Sequence, residues 1–81
     1  MHLTIQTPDQ SIYEGTITSV TVPGTSGSFQ IFKDHAPIIS TLEDGVVVVQ
    51  DQNGEKSLTI KGGVVEVLNN EITLLAEAVV G

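Results

Sequence analysis

The amino-acid sequence predicts an all-β protein of the sandwich type, on three observations. First, valine, isoleucine and threonine supply 28 of the 81 residues, and β-branched side chains are stiff at χ1 and fit a pleated sheet better than a helix. Second, glycine, asparagine and proline turn signals recur every eight to twelve residues or so, the spacing of sandwiches and barrels. Third, no long segment carries helical periodicity, and three alanines with six leucines are a poor basis for a helical bundle.

In chain order, residues 3–7 read as a strand with Leu3 and Ile5 on one face, ended by Pro8-Asp9. Residues 11–14 form a short second strand stopped by Gly15. Residues 16–22 form a third, with Val20 and Val22 in phase and Ile17 out of phase, which a β-bulge near Thr18-Ser19 would absorb. Pro23-Gly24-Thr25-Ser26-Gly27 is a turn cluster, and residues 28–31 follow as a strand with Phe29 and Ile31 on one side. Residues 32–37 are irregular, because Pro37 has no amide donor and restricts Ala36 before it. Residues 38–42 are apolar and extended, and Glu43-Asp44-Gly45 turns the chain into residues 46–50. The unbroken valines there predict burial on both faces or cover by a loop. Asn53-Gly54 is a hairpin signal, since both residue types tolerate the positive φ of a primed turn. Residues 56–61 alternate with Leu58 and Ile60 inward, Gly62-Gly63 permits a sharp corner, and Val65 and Val67 continue the pattern. Asn69-Asn70 marks another tight hairpin, and residues 72–76 close the sheet. About nine strands in a single domain, 1–81, are expected.

Net charge and composition exclude several functions. Ten acids against three lysines and no arginine give −7, whereas nucleic-acid binding needs concentrated positive charge to displace counterions. The same excess disfavours an anionic lipid surface and can steer the domain towards a basic partner. Met1-His2-Leu3-Thr4-Ile5 lacks the apolar run of a signal peptide. The four valines 46–49 are too short a run to span a bilayer, so membrane contact is expected only through partners. With no cysteine, disulfides and thiolate metal sites are excluded.

Chemistry-bearing constellations are sparse. Asp34-His35 with Ser28 contains the residue types of a nucleophile, a base and an orienting acid, but no nucleophile-elbow motif surrounds the serine. His35 with Asp34, Glu43 or Asp44 has no metal-ligand spacing. Gly24-Thr25-Ser26-Gly27-Ser28 lacks the lysine and following helix of a phosphate loop. No catalytic, cofactor or metal residue is therefore assigned. A surface role for the apolar stretch from Phe29 and Phe32 through Ile38-Ile39 stands open beside a packing role at one end of the sandwich.

At that stretch the sequence resembles the epsilon subunit of bacterial and chloroplast F-type ATP synthases. The resemblance rests on Val20-Thr21-Val22-Pro23-Gly24, Gly27-x-Phe29-x-Ile31 and His35-Ala36-Pro37-Ile38-Ile39-Ser40-Thr41-Leu42. Gly45 with its valines, Gly62-Gly63-Val64-Val65-Glu66-Val67, Asn69-Asn70 and Leu74-Leu75-Ala76 continue the match in order, over essentially the whole chain. It implies a sandwich of two five-stranded sheets, non-catalytic, in the central stalk of a multi-subunit ATP synthase. There the domain would bind the gamma subunit and the c-ring, turn with both, and lie peripherally at the cytoplasmic face of the bacterial inner membrane. By this resemblance Thr7, Ser26, Gly27, Ser28, Gln30, His35 and Ser40 are the candidate partner contacts. Ser28 stands where many relatives have an acid. Family members continue as a helical hairpin that can inhibit hydrolysis; this chain stops at Gly81, so hairpin-mediated inhibition is not expected of it.

The rival reading is a lipoyl- or biotinyl-type carrier domain, with Lys56 just past the Asn53-Gly54 turn as the loading residue. The methionine or aspartate flanks of such a site are absent. A carbohydrate-binding sandwich is disfavoured by one tyrosine and no tryptophan.

Overall fold

The computed structural model describes residues 1–80. Eight strands follow one another: β1 His2–Gln6, β2 Ser11–Thr16, β3 Ser19–Gly24, β4 Gly27–Phe32, β5 Ile38–Leu42, β6 Gly45–Asp51, β7 Gly54–Leu68 and β8 Glu71–Val80. No helix occurs among the described residues.

The strand pairings resolve into two five-stranded layers that share β7 and β8. The front layer runs β2-β1-β8-β7-β5, using the first part of β8 and the last part of β7. The back layer runs β4-β3-β6-β7, with the last residues of β8 beside the start of β7. All pairs are antiparallel except β1 with β8. The two expected five-stranded sheets are thus formed, and by eight strands instead of nine, because Gly62-Gly63 does not interrupt β7. It bends it.

The bend changes which side of β7 faces inward. Ile60 is buried before the corner, Val65 and Val67 after it, an odd step that a straight strand could not make. Gly62 at φ 54 and Gly63 at φ 143 supply the turn. At Gly63 no side chain fits, since an added Cβ would stand 2.3 Å from the Leu75 carbonyl oxygen. Strands that switch sheets at a corner in this way close the edges of small sandwiches.

The core between the layers takes Leu3 and Ile5 from β1, Val20 and Val22 from β3, Ile31, Leu42, Val47, Val49, Ile60, Val65, Val67, Ile72, Leu74 and Ala76, with Ile17. Fully burying a branched aliphatic side chain stabilises by about 1.5–3 kcal/mol, and this set holds a domain without disulfides.

Three local expectations differ from the structure. Residues 16–22 are not one bulged strand: Ile17 and Thr18 carry the chain from the front layer to the back. The Ile17 amide donates to Met1 O at 2.9 Å and the Thr18 amide to Gln50 O at 2.8 Å. Ile17 is out of phase because it is a corner residue; the register shift lies instead between β1 and β2, where Ile5 pairs Tyr13 and Gln6 pairs Ser11. The valines of β6 are not buried on both faces: Val47 and Val49 are core, while Val46 is 50% exposed. At Asn53-Gly54 the hairpin forms, but only Gly54 has positive φ, 120°. The loop residues are Gln52-Asn53, held by an Asn53 amide that donates to Oδ1 of Asp51 at 2.8 Å. The paired left-handed geometry occurs at Asn69 and Asn70, φ 52 and 62.

Candidate docking surface

The β3–β4 hairpin ends in the loop Thr25-Ser26, closed by Gly27 at φ 124. Ser26, Gly27 and Ser28 are exposed at this tip. The Thr25 amide donates to Thr41 O at 3.1 Å, and the two threonine hydroxyls are hydrogen-bonded at 2.9 Å. The tip is therefore fastened to the end of β5. Gln30, further along β4, donates from Nε2 to the hydroxyl of Ser19 at 3.4 Å.

Thr7 lies in the β1–β2 turn, where its amide donates to Gln10 O at 2.9 Å. Pairing across the front layer aligns Gln6, Leu75, Val64 and Thr41 in one row. Thr7, next to Gln6, and the tip fastened to Thr41 thus occupy the same end of the sandwich, with Gln6 and Thr41 about 14 Å apart at three strand spacings.

His35 is at the other end, in the connection between β4 and β5. Its Nδ1 is 2.7 Å from Ala36 O; a carbonyl only accepts, so Nδ1 is the donor. The Asp34 amide donates to Oδ1 of Asn70 at 2.7 Å, and Nδ2 of Asn70 returns a bond to Oδ1 of Asp34 at 3.0 Å. Ser40 sits on β5 opposite Val65, half-buried, with its hydroxyl donating to Thr41 O at 3.3 Å. The seven candidate contacts therefore divide between the layers: Thr7 and Ser40 belong to the front layer, Ser26, Gly27, Ser28 and Gln30 to the β3–β4 hairpin of the back layer, and His35 to the connection between β4 and β5.

Ser28 and Asp34-His35 do not converge. Phe32 lies four residue steps along β4 from Ser28, about 13 Å of strand, and Asp34 is already committed to Asn70. Among the described residues no group of three or more histidine, aspartate or glutamate side chains is placed to hold a metal. Lys56 does not stand at a hairpin tip; its amine lies 5.6 Å from the centroid of the Tyr13 ring.

The outward face of the front layer holds a feature that the residue-by-residue reading missed. Ile39 is 74% exposed, Leu68 50% and Leu75 45%. Cross-strand register places Ile39 beside Glu66, and Val64 between Thr41 and Leu75. A shallow groove lined by Pro37, Ile39, Glu66 and Leu68 opens at one end of this face. A second, lined by Gln6, Thr7, Pro8 and Leu75, opens at the other. The signal was in the sequence as four apolar doublets: Ile38-Ile39, Val64-Val65, Val67-Leu68 and Leu74-Leu75. On a pleated strand successive side chains face opposite ways, so each doublet sends one residue into the core and one outside. The aromatic stretch divides likewise. Ile31 is core, Phe29 and Ile38 pack against it, and Phe32 and Ile39 are exposed.

The model of the ATP synthase delta/epsilon chain β-sandwich domain matches residues 1–81. The chain belongs to this family. Among its relatives, the ATP synthase epsilon chain of Chlorobium limicola is 42% identical over 78 residues, covering 95% of this chain and 89% of the relative. That of Caulobacter vibrioides is 34% identical over 77 residues, covering 95% and 90%. The epsilon chain of Leptospira borgpetersenii is 31% identical over 95% of this chain, which spans 61% of the relative's length. In solved structures, the fold matches a chain of the mitochondrial ATP synthase of Euglena gracilis (OSCP/F1/c-ring) with a TM-score of 0.89, at 20% identity over 96% of this chain and 51% of that one. It matches a chain of the central stalk and c-ring of the Tetrahymena thermophila enzyme with a TM-score of 0.83, at 17% identity over 98% and 64%. At those identities the likeness is one of fold. For an epsilon-type sandwich the exposed apolar face of the front layer is the feature to explain.

Proposed function

We propose that this domain is a non-catalytic piece of the rotor of an F-type ATP synthase, docking on the gamma subunit and the c-ring and helping to couple ion-driven rotation to ATP synthesis. The observation that carries the reading is the outward face of the front layer, where Ile39, Leu68 and Leu75 stay exposed. Apolar side chains gathered on one face of a small domain are an interaction surface. Family membership supports a stalk subunit as the kind of protein that bears it.

In this reading gamma covers the front face and the His35 loop, and the exposed tip Thr25-Ser26-Gly27-Ser28 meets the polar loops of the c-ring. The hydroxyls of Ser26 and Ser28 would hydrogen-bond there; with a serine at position 28 this contact lacks a carboxylate's charge. The net charge of −7 favours a basic surface on gamma, since complementary potentials speed and orient association. The domain lies at the cytoplasmic face of the membrane through these partners and makes no bond of its own to substrate. Its contribution is stiffness: a short-looped sandwich with β7 and β8 running through both layers transmits torque without deforming.

The test is a titration of the purified chain with the folded cognate gamma subunit, followed calorimetrically. A one-to-one complex at micromolar concentration or tighter is expected. Absence of heat and of co-elution, with both proteins shown to be folded, would sink the proposal.

A further inference from the structure

The connection between β4 and β5 spans residues 33–37, and no loop backbone hydrogen bond ties those residues to the rest of the described chain. What holds it is a reciprocal pair of bonds to one side chain. Oδ1 of Asn70 accepts from the Asp34 amide at 2.7 Å, and Nδ2 of Asn70 donates to Oδ1 of Asp34 at 3.0 Å. Both residues have left-handed backbones, Asp34 at φ 65 and Asn70 at φ 62. That conformation is one short polar side chains tolerate and most others do not. Asn70 is fixed in turn by the sheet, because its carbonyl accepts from the His2 amide at 2.9 Å. The clamp thus joins a loop lacking backbone anchorage to the rigid junction of β1, β7 and β8.

Its position gives it a role. His35 follows Asp34 directly, Pro37 and Ile39 lie just beyond, and Leu68 lies just before the Asn69-Asn70 turn. The groove lined by Pro37, Ile39, Glu66 and Leu68 therefore has walls from the two segments that the clamp ties together. We infer that Asp34 and Asn70 are positioning residues of the docking surface, holding the His35 loop and the Leu68 wall in their binding geometry before the partner arrives. The inference rests on the reading that this end of the front layer docks on gamma. Ordering a loop in advance removes a cost that binding would otherwise carry.

The experiment compares four forms of the chain: the parent, Asn70→Gly, Asp34→Gly and Asp34→Asn. Glycine accepts the left-handed backbone at either site, so Asn70→Gly removes both bonds and Asp34→Gly removes one without backbone strain. Asp34→Asn keeps the Oδ1 acceptor and discards only the charge. Urea midpoints are expected to stay near the parent's, since neither side chain belongs to the core. In Asn70→Gly the Asp34 amide should exchange its hydrogen about tenfold faster, and affinity for gamma should fall roughly three- to tenfold. Asp34→Gly should show a smaller loss of the same kind, and Asp34→Asn none. The inference is overturned if exchange at Asp34 is unchanged in Asn70→Gly, or if the loop loosens while affinity holds. It is also overturned if Asp34→Asn weakens binding as much as Asn70→Gly does, since charge would then be the cause. A parent chain that binds no gamma overturns the stalk reading, and this inference with it.

Discussion

The Tyr13 hydroxyl donates to Oδ2 of Asp51 at 3.2 Å, tying the outer strand of the front layer, β2, to the end of β6 in the back layer. The Lys56 amine lies over the same ring, 5.6 Å from its centroid. Partial burial pushes the phenol above its ordinary 10.0, and the bond to Asp51 and the charge of that carboxylate push it the same way. A folded-state value above the unfolded one means that the folded state holds the proton longer. The resulting stabilisation is complete below about pH 10 and is lost as pH rises through the folded value. Unfolding midpoints of the parent should therefore fall more steeply above pH 10 than those of Tyr13→Phe. Parallel curves would show that the tie contributes nothing.

Gly63→Ala should be strongly destabilising. Its φ of 143° is unfavourable for any side chain, and the new Cβ would stand 2.3 Å from Leu75 O. Backbone strain alone costs about 1–3 kcal/mol, and β8 would have to shift as well. A loss of about 3 kcal/mol or more is expected in urea unfolding, a large share of the stability of a domain this size.

Adjacent leucines on β8 should behave oppositely. Leu74 is fully buried, so Leu74→Ala should cost about 2–5 kcal/mol. Leu75 is 45% exposed, and Leu75→Ala should stay within about 0.5 kcal/mol of the parent while weakening the complex with gamma. Equal destabilisation by both substitutions would contradict the assignment of faces.

Ile39→Lys tests the docking face directly. With 74% of the residue exposed, the substitution should leave thermal unfolding nearly unchanged. Binding to gamma should drop more than about tenfold, the scale of a truncated interface anchor. Undiminished binding would move the contact away from this face.

Local rules carried much of the fold. Period-two alternation puts Leu3 with Ile5 and Val20 with Val22 on a shared face and Leu58 with Ile60 inward, and each is buried or packed on the core. Backbone chemistry alone predicts a turn at Asn69-Asn70 and a corner at Gly62-Gly63, and both form. Ile17 and the β6 valines depart from the local pattern because their environment depends on which layer a residue has reached and on what packs opposite. No window of neighbouring residues contains that information.

The proposed docking surface divides in the same manner. His35 and the glycine-containing tip were legible as loops with polar side chains, and the resemblance directed attention to them. Asp34 was noted for its chemistry, whereas its pairing with Asn70 joins residues 36 positions apart. Only the close approach of two turns creates it. Ile39, Leu68 and Leu75 are ordinary apolar residues in the sequence and become a face only when register aligns them.

Two things about this protein follow from the sequence by itself: an all-β sandwich and a net charge of −7. Alternation, turn chemistry and charge are local or additive properties, and they survive without knowledge of contacts. The tertiary structure decided the rest: eight strands shared between two layers, the reversal of β7 at Gly62-Gly63, the Asp34–Asn70 clamp and the exposed apolar face. Each depends on strand register between distant segments, and register is set by the whole core packing at once.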